Sequence, residues 1–360
     1  MSVSVSSSKN LAGGGRKSNF ELLRLVAMLF IVCGHVLVHG MDVCGFYRPF
    51  QVERDGWVGI SLYGVLVLGV NVFVIISGWF GIRRVWSQAI RLVLDCILYA
   101  GVAQIACWAV WGQTYTLHDF TFGLDFRRYW FVAHYLILVL ISPLIEKALE
   151  GIALRRLTYW VVLLTIVNIG LGWWLYVMNT NGYNAVHLAY VYVLARWLRM
   201  VQPTEAFRKF ARMGLLITIV VAALLAVGYV IYTSHRESTF ERAVRYYGYN
   251  NPLIVLSSLA FVAWFSRFSF QSRVVNVAAK ATFGIYLLHE AFACKPFRNV
   301  FASCLFDTYE WVGFVLAALG IYVSCLLVSL LIEWLKGRVS PLRWLYALGE
   351  RLDAAAKKWA

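Results

Sequence analysis

The feature that most constrains this chain is a repeat of apolar blocks, each near the ~20 residues needed to cross a ~30 Å hydrocarbon core. Short polar stretches separate them along the 360 residues. In lipid, every backbone amide must be satisfied within its own segment, so such blocks can only be helices. The pattern predicts spans over 20–39, 61–80, 89–111, 130–146, 157–177, 184–199, 213–233, 253–268, 281–295 and 311–335. The fourth, sixth and ninth are short, which implies tilt, bending or cover from neighbouring helices. Apolar residues make up 61% of the chain and charged residues 14%, with a mean hydropathy of +0.69. A soluble domain carries roughly 45–50% and 25%, so this chain has too little polar surface to cover itself in water. The expected fold class is all-α, a polytopic membrane bundle of about ten helices.

A net charge of +15 raises nucleic acid as a partner, but the distribution of the charge argues against it. Lys and Arg sit in short runs between apolar blocks, as positive-inside anchoring requires. With the N-terminus inside, 23 of the 33 fall in inside segments, 9 in outside segments, and Arg24 lies within the first span. This split places both termini in the cytoplasm, in the cell membrane. The 15 Trp and 20 Tyr fit interfacial belts. Residues 1–19 are Ser/Gly-rich and read as a disordered cytoplasmic tail, 20–336 as the transmembrane domain, and 337–360 as a basic cytoplasmic tail. The apolar run from Phe20 is too long for a signal peptide and has no small-residue cleavage site, so it reads as a retained span.

The seven cysteines form no CxxC pair. Cys33, Cys96, Cys107 and Cys325 lie in apolar blocks as packing residues. Cys44, Cys294 and Cys304 fall in or near outer loops, where a Cys44–Cys304 disulfide is one pairing to test.

No expected loop exceeds about 21 residues, so any chemistry must occur among the helices. Ionisable residues inside spans are costly and mark functional positions. Arg24 and His35 both lie in the first span. Eleven residues at ~100° each come within ~20° of three full turns, so the two side chains share one helix face, ~16 Å apart along the axis. Arg24 falls in the cytoplasmic half and His35 in the outer half. Asn71, Asp95, Asn168, His187 and Glu333 are the other polar groups in spans. Asp95 is placed to pair with Arg91 at i,i+4, and Glu333 to pair near Lys336 and Arg338. His289 closes the ninth span beside Glu290. No HExxH occurs and His289–Glu290 lacks a second His in sequence, so no metal site is expected.

An Arg, ten residues and a His on the first helix resembles the signature of the acyltransferase-3 family of membrane O-acyltransferases. Three further blocks resemble that family, in its order: FVIISGWFGI (73–82), YWFVAHYLILVLISPLI (129–145) and TFGIYLLHE (282–290). The resemblance implies ten helices with cytoplasmic termini. It also implies transfer of an acyl group, acetyl by preference, from cytoplasmic acyl-CoA to a hydroxyl of a carbohydrate or lipid-linked glycan. No bound cofactor is implied. A sugar hydroxyl needs a base to become nucleophilic, and His titrates near neutral pH. His35 is therefore the expected catalytic residue, as general base or as covalent acyl carrier. Arg24 would neutralise donor phosphates or charge developing at the thioester. His289 is a candidate second acid–base or substrate contact, and Trp130, Tyr135 and Ser77 are candidate substrate-binding residues. Gly78 reads as a close-packing position and Ser77 not as a nucleophile. Arg83, Arg84 and Arg91 are candidates for acyl-CoA binding, although the family's Arg-x-x-Arg spacing is not reproduced here.

Two alternatives compete with this reading. A transporter or flippase would use the same intramembrane polar groups without covalent chemistry. An unrelated membrane O-acyltransferase family uses a buried His with an upstream Asn, for which Asn251 and His289 are the candidates. That second family does not explain the Arg24–His35 pair, whereas a transporter would be told apart by substrate movement independent of acyl-CoA and with no modified product.

Overall fold

The computed structural model describes residues 16–42, 52–112, 129–177, 181–234, 245–291 and 293–356. Among these, every regular element is a helix: α1 Ser18–His35, α2 Val52–Leu66, α3 Gly69–Phe80, α4 Val85–Trp111, α5 Trp130–Leu149, α6 Leu154–Thr165, α7 Ala185–Val201, α8 Glu205–Ser234, α9 Pro252–Phe265, α10 Arg273–Ala278, α11 Thr282–His289, α12 Lys295–Lys336 and α13 Ser340–Ala356. Most of the expected tail 1–19 lies outside the described residues, as do Cys44 and, of the outside cations, Arg48, Arg127, Arg128, Arg236 and Arg242.

Among the described residues, seven stretches are long and apolar enough to cross a membrane: Ser18–Gly40, Gly56–Phe80, Val85–Trp111, Trp130–Leu149, Leu154–Trp174, Glu205–Tyr232 and Lys295–Lys336. The other three expected spans fall on α7, α9 and α11, of 17, 14 and 8 residues. The fourth span is longer than expected, at 20 residues. α9 and α11 are mostly buried and α7 buries about half of its residues, so protein covers much of their surface in place of lipid.

Local irregularities have local causes. Pro143 inside α5 leaves the carbonyl of Val139 without its amide, and Ser142 Oγ donates to that carbonyl at 2.7 Å. α1 widens after His35 into a π-helical turn, Val36–Gly40, a form that recurs at functional positions. α6 continues as a second one, Ile166–Trp174. α12 breaks at Glu310 (φ 50°, ψ −128°). Its two halves fold back until Gly313 abuts Leu305, so the expected outer loop is a helix packed on the π-turn of α1.

Helices in lipid associate by close packing and hydrogen bonds rather than by hydrophobic drive. α3 and α7 meet at Gly78, where an added Cβ would lie 2.5 Å from the Tyr192 carbonyl oxygen and 2.7 Å from Ala195 Cβ. Both atoms belong to a helix and cannot yield. Gly78→Ala is therefore expected to destabilise the protein by ~1–3 kcal/mol, read as a lower unfolding temperature in detergent. An unchanged temperature would contradict the close contact.

The segment expected as a basic tail forms helix α13 and docks on α4. Asp353 accepts hydrogen bonds from the Trp86 and Ser87 amides, at 2.9 and 3.1 Å, and from Ser87 Oγ. These amides open α4 and have no partner within it, and the carboxylate also meets the positive end of the helix dipole. Tyr346 donates to Asp95 at 2.6 Å, beside the Lys336–Asp95 ion pair, also at 2.6 Å. Burial, with the Asp95 carboxylate beside it, pushes the Tyr346 phenol above its usual range and keeps it a donor. The expected pairings of Asp95 with Arg91 (3.6 Å) and of Glu333 with Lys336 (2.5 Å) are present, and Glu333 also takes Arg91 at 2.9 Å.

Candidate functional site

His35 ends α1 where the chain leaves α-helical geometry, and α11 brings His289 and Glu290 against it. His35 Nδ1 lies 2.9 Å from His289 Nε2 and 3.0 Å from Glu290 Oε1. The protons follow from the partners. His289 Nδ1 lies 2.8 Å from the Ile285 carbonyl, which can only accept, so Nδ1 carries the hydrogen and Nε2 of the neutral ring accepts. His35 Nδ1 must then be the donor, shared between His289 and Glu290. Nε2 of a neutral His35 is left with a lone pair and has no partner among the described residues.

Glu290 is itself clamped. Arg298, in the first turn of α12, donates through Nη1 to Glu290 Oε1 and, at 3.0 Å, to the His289 carbonyl. Lys295 Nζ lies 2.6 Å from Glu290 Oε2. The Arg298 and Glu290 side chains are 4% and 8% exposed, so this is a buried pair. It forms across the tight turn Ala291–Cys294 that joins α11 to α12.

Three adjoining cavities lead to His35. A basic mouth of about 1110 Å³ is lined by Arg16 and Lys17 before α1, Arg24, Arg83, Arg84, Arg91, Arg196, Arg199, Lys336 and Arg343, against Glu21, Glu333 and Glu350. A central cavity of about 590 Å³ shares Arg24 and Arg91 with the mouth, and reaches His35, Ser77, Trp130 and Tyr135. A third, of about 310 Å³, shares His35, Trp130 and Tyr249 with the central one and holds Glu290 and Lys295. Arg24 thus stands where the mouth meets the central cavity, and His35 where the central cavity meets the third. The shared helix face expected from their spacing is present. Arg24 is paired with Glu21 at 3.1 Å, a partner not foreseen from the sequence.

The other expected site residues divide. Trp130 lines both inner cavities, while Tyr135 and Ser77 line the central one. Ser77 Oγ donates to the Phe73 carbonyl at 3.0 Å and so accepts from the Tyr135 hydroxyl at 2.9 Å, which occupies its proton away from any substrate. Arg83 and Arg84 line only the mouth, and Arg84 faces Glu350 of α13 at 3.8 Å. His289 lines none of the three cavities and instead backs His35. Asn251 is engaged as the cap of α9, accepting from the Leu253 amide at 2.9 Å and donating to the Tyr246 carbonyl at 2.8 Å, which removes it as a partner for His289 chemistry.

The residues not foreseen are Glu290 as the partner of His35, and Arg298 and Lys295 as its clamp. A carboxylate next to a histidine in an apolar segment was the available signal. The second His that a metal site lacked in sequence is His35, since donor atoms of His35, His289 and Glu290 lie within 4.8 Å of one another. The donor set fits a cation poorly, because Arg298 and Lys295 already neutralise Glu290 and would repel it. Cys294, at the head of α12, lies with its sulfur 3.6 Å from that of Cys107, a neighbour not expected, while Cys304 is exposed.

A family model described as an acyltransferase domain matches residues 17–334. No curated protein and no solved structure matches the chain.

Proposed function

This chain belongs to the acyltransferase-3 family, and on that premise we propose that it moves an acetyl group from cytoplasmic acetyl-CoA to a hydroxyl of a carbohydrate or glycolipid of the cell envelope. One observation carries the assignment of His35. Its Nδ1–H is held by Glu290 and His289, which leaves Nε2 as a base in a ring that lines two adjoining cavities.

In this reading the acceptor hydroxyl oxygen attacks the thioester carbonyl carbon while its proton passes to His35 Nε2. The carbon–sulfur bond then breaks, and the departing thiolate takes the proton back and leaves as the free thiol. Glu290 fixes the ring's tautomer and stabilises the imidazolium that forms, the part a carboxylate plays behind a catalytic histidine. The donor's phosphates suit the basic mouth, where Arg83, Arg84 and Arg91 offer donors that match phosphate oxygens. Arg24, at the inner end of that mouth, is placed to meet the thioester end of the donor and to stabilise negative charge there.

Every cation lining the mouth outside α1 comes from a segment that the charge pattern places inside. This supports both termini and the donor mouth on the cytoplasmic face of the cell membrane. Membranes holding the protein and given labelled acetyl-CoA are expected to carry the label in their glycan fraction. A glycan moved across the membrane but unlabelled would contradict acyl transfer and support transport.

A further inference from the structure

We propose that the cavity of about 310 Å³ beyond His35 is the acceptor subsite, and that it holds one uncharged saccharide ring against an aromatic platform of Trp130, Tyr183 and Tyr249. The inference rests on the acyl-transfer reading only for the identity of the reacting group. The shape and chemistry of the cavity carry the rest.

The Trp130 and Tyr249 rings are stacked, 5.5 Å apart at 21°, and Tyr183 closes the cluster at 4.5 Å from Trp130 and 4.8 Å from Tyr249. The face of an aromatic ring carries negative charge density. The C–H-rich face of a pyranose presents hydrogens of the opposite polarity, while its hydroxyls point outward to hydrogen-bonding groups. Tyr63 and Tyr286 also line this cavity and supply such groups.

Charge separates this cavity from the mouth. Among the described residues, the mouth gathers ten Lys and Arg against three Glu, whereas the only Lys, Arg, Asp or Glu lining the third cavity are Lys295 and Glu290, joined at 2.6 Å. A polyanion fits the first and a neutral ring the second. A volume at the lower end of ligand pockets, ~300–1,000 Å³, admits one ring and leaves the rest of a glycan outside. His35 lines the cavity wall, where a hydroxyl of that ring would meet it.

The platform is tied to the core by a relay that lines none of the three cavities. Asn168 Nδ2 donates to His187 Nδ1, His187 Nε2 donates to Asn71 Oδ1, and Asn71 Nδ2 donates to the Tyr249 carbonyl, each at 3.0 Å. All three side chains are buried, and the last bond fixes the direction of the others. A satisfied buried network of this kind holds one geometry, which makes His187 a positioning residue for the platform.

The test uses the full chain in lipid nanodiscs and a diazirine-bearing methyl pyranoside as photolabel, with excess methyl pyranoside as competitor. Competitor-protected label is expected on peptides carrying Trp130, Tyr183 or Tyr249. It should fall about tenfold in Trp130→Ala, return in Trp130→Phe, and fall in His187→Leu. Labelling is done without donor, and the wild-type protein is assayed separately for acetyl transfer to the same pyranoside. This separates the subsite from the acyl-transfer reading, whose failure would appear as absent transfer with labelling intact. Protected label confined to the basic mouth, no protected label, or equal labelling in Trp130→Ala would overturn the assignment.

Discussion

His35→Ala is expected to lower acyl transfer by ~10²–10⁴-fold, the range lost with a general base, while the protein still inserts and folds. The side chain ends a helix and is 24% exposed, so alanine leaves little void. Glu290 keeps Arg298 and Lys295, so no buried charge is stranded. The assay compares labelled acetyl incorporation at matched amounts of folded protein, with the unfolding temperature as control. Equal incorporation would remove His35 from the chemistry. A parallel fall in unfolding temperature would make its role structural instead.

Arg298→Ala is expected to have the largest effect on stability, ~3–5 kcal/mol. Removing the guanidinium leaves the Glu290 carboxylate buried without its closest cation, and also frees the His289 carbonyl that it held. Lys295 contacts the same carboxylate, but its side chain is 37% exposed, against 4% for Arg298. Lys295→Ala should therefore cost at most about 1 kcal/mol, as exposed pairs do. A double variant, Arg298→Met with Glu290→Gln, should be more stable than Arg298→Ala, because it removes both charges together. Thermal unfolding of the four proteins in detergent decides this. Equal, small losses for Arg298→Ala and Lys295→Ala would mean that the clamp does not hold the site.

The parts legible in the sequence are those that local periodicity controls. Apolar block lengths mark the helices, and 100° per residue places Arg24 and His35 on one face, which the cavities share as expected. Asp95 and Glu333 pair with neighbours that local spacing names. The clamp on Glu290 could not be found this way. Arg298 reaches it across the tight turn Ala291–Cys294 between α11 and α12, where helical spacing no longer says which side chains meet. The three-residue relay through His187 likewise joins α3, the π-turn after α6 and α7, through side chains 19 and 116 positions apart that local spacing does not pair. Helix α13 did have a local signal. Trp344, Leu348 and Leu352 recur every four residues in a segment read as a tail, a helical stripe that the run of charges obscured.

In the proposed function, one passage joins a donor mouth at Arg24 to an acceptor site at His35. Sealed vesicles of known orientation, given labelled acetyl-CoA on one face only, test it most directly. Label should enter glycan only when the donor is on the face bearing the C-terminus, and His35→Ala should abolish it there. Transfer with acetyl-CoA confined to the opposite face would contradict the passage.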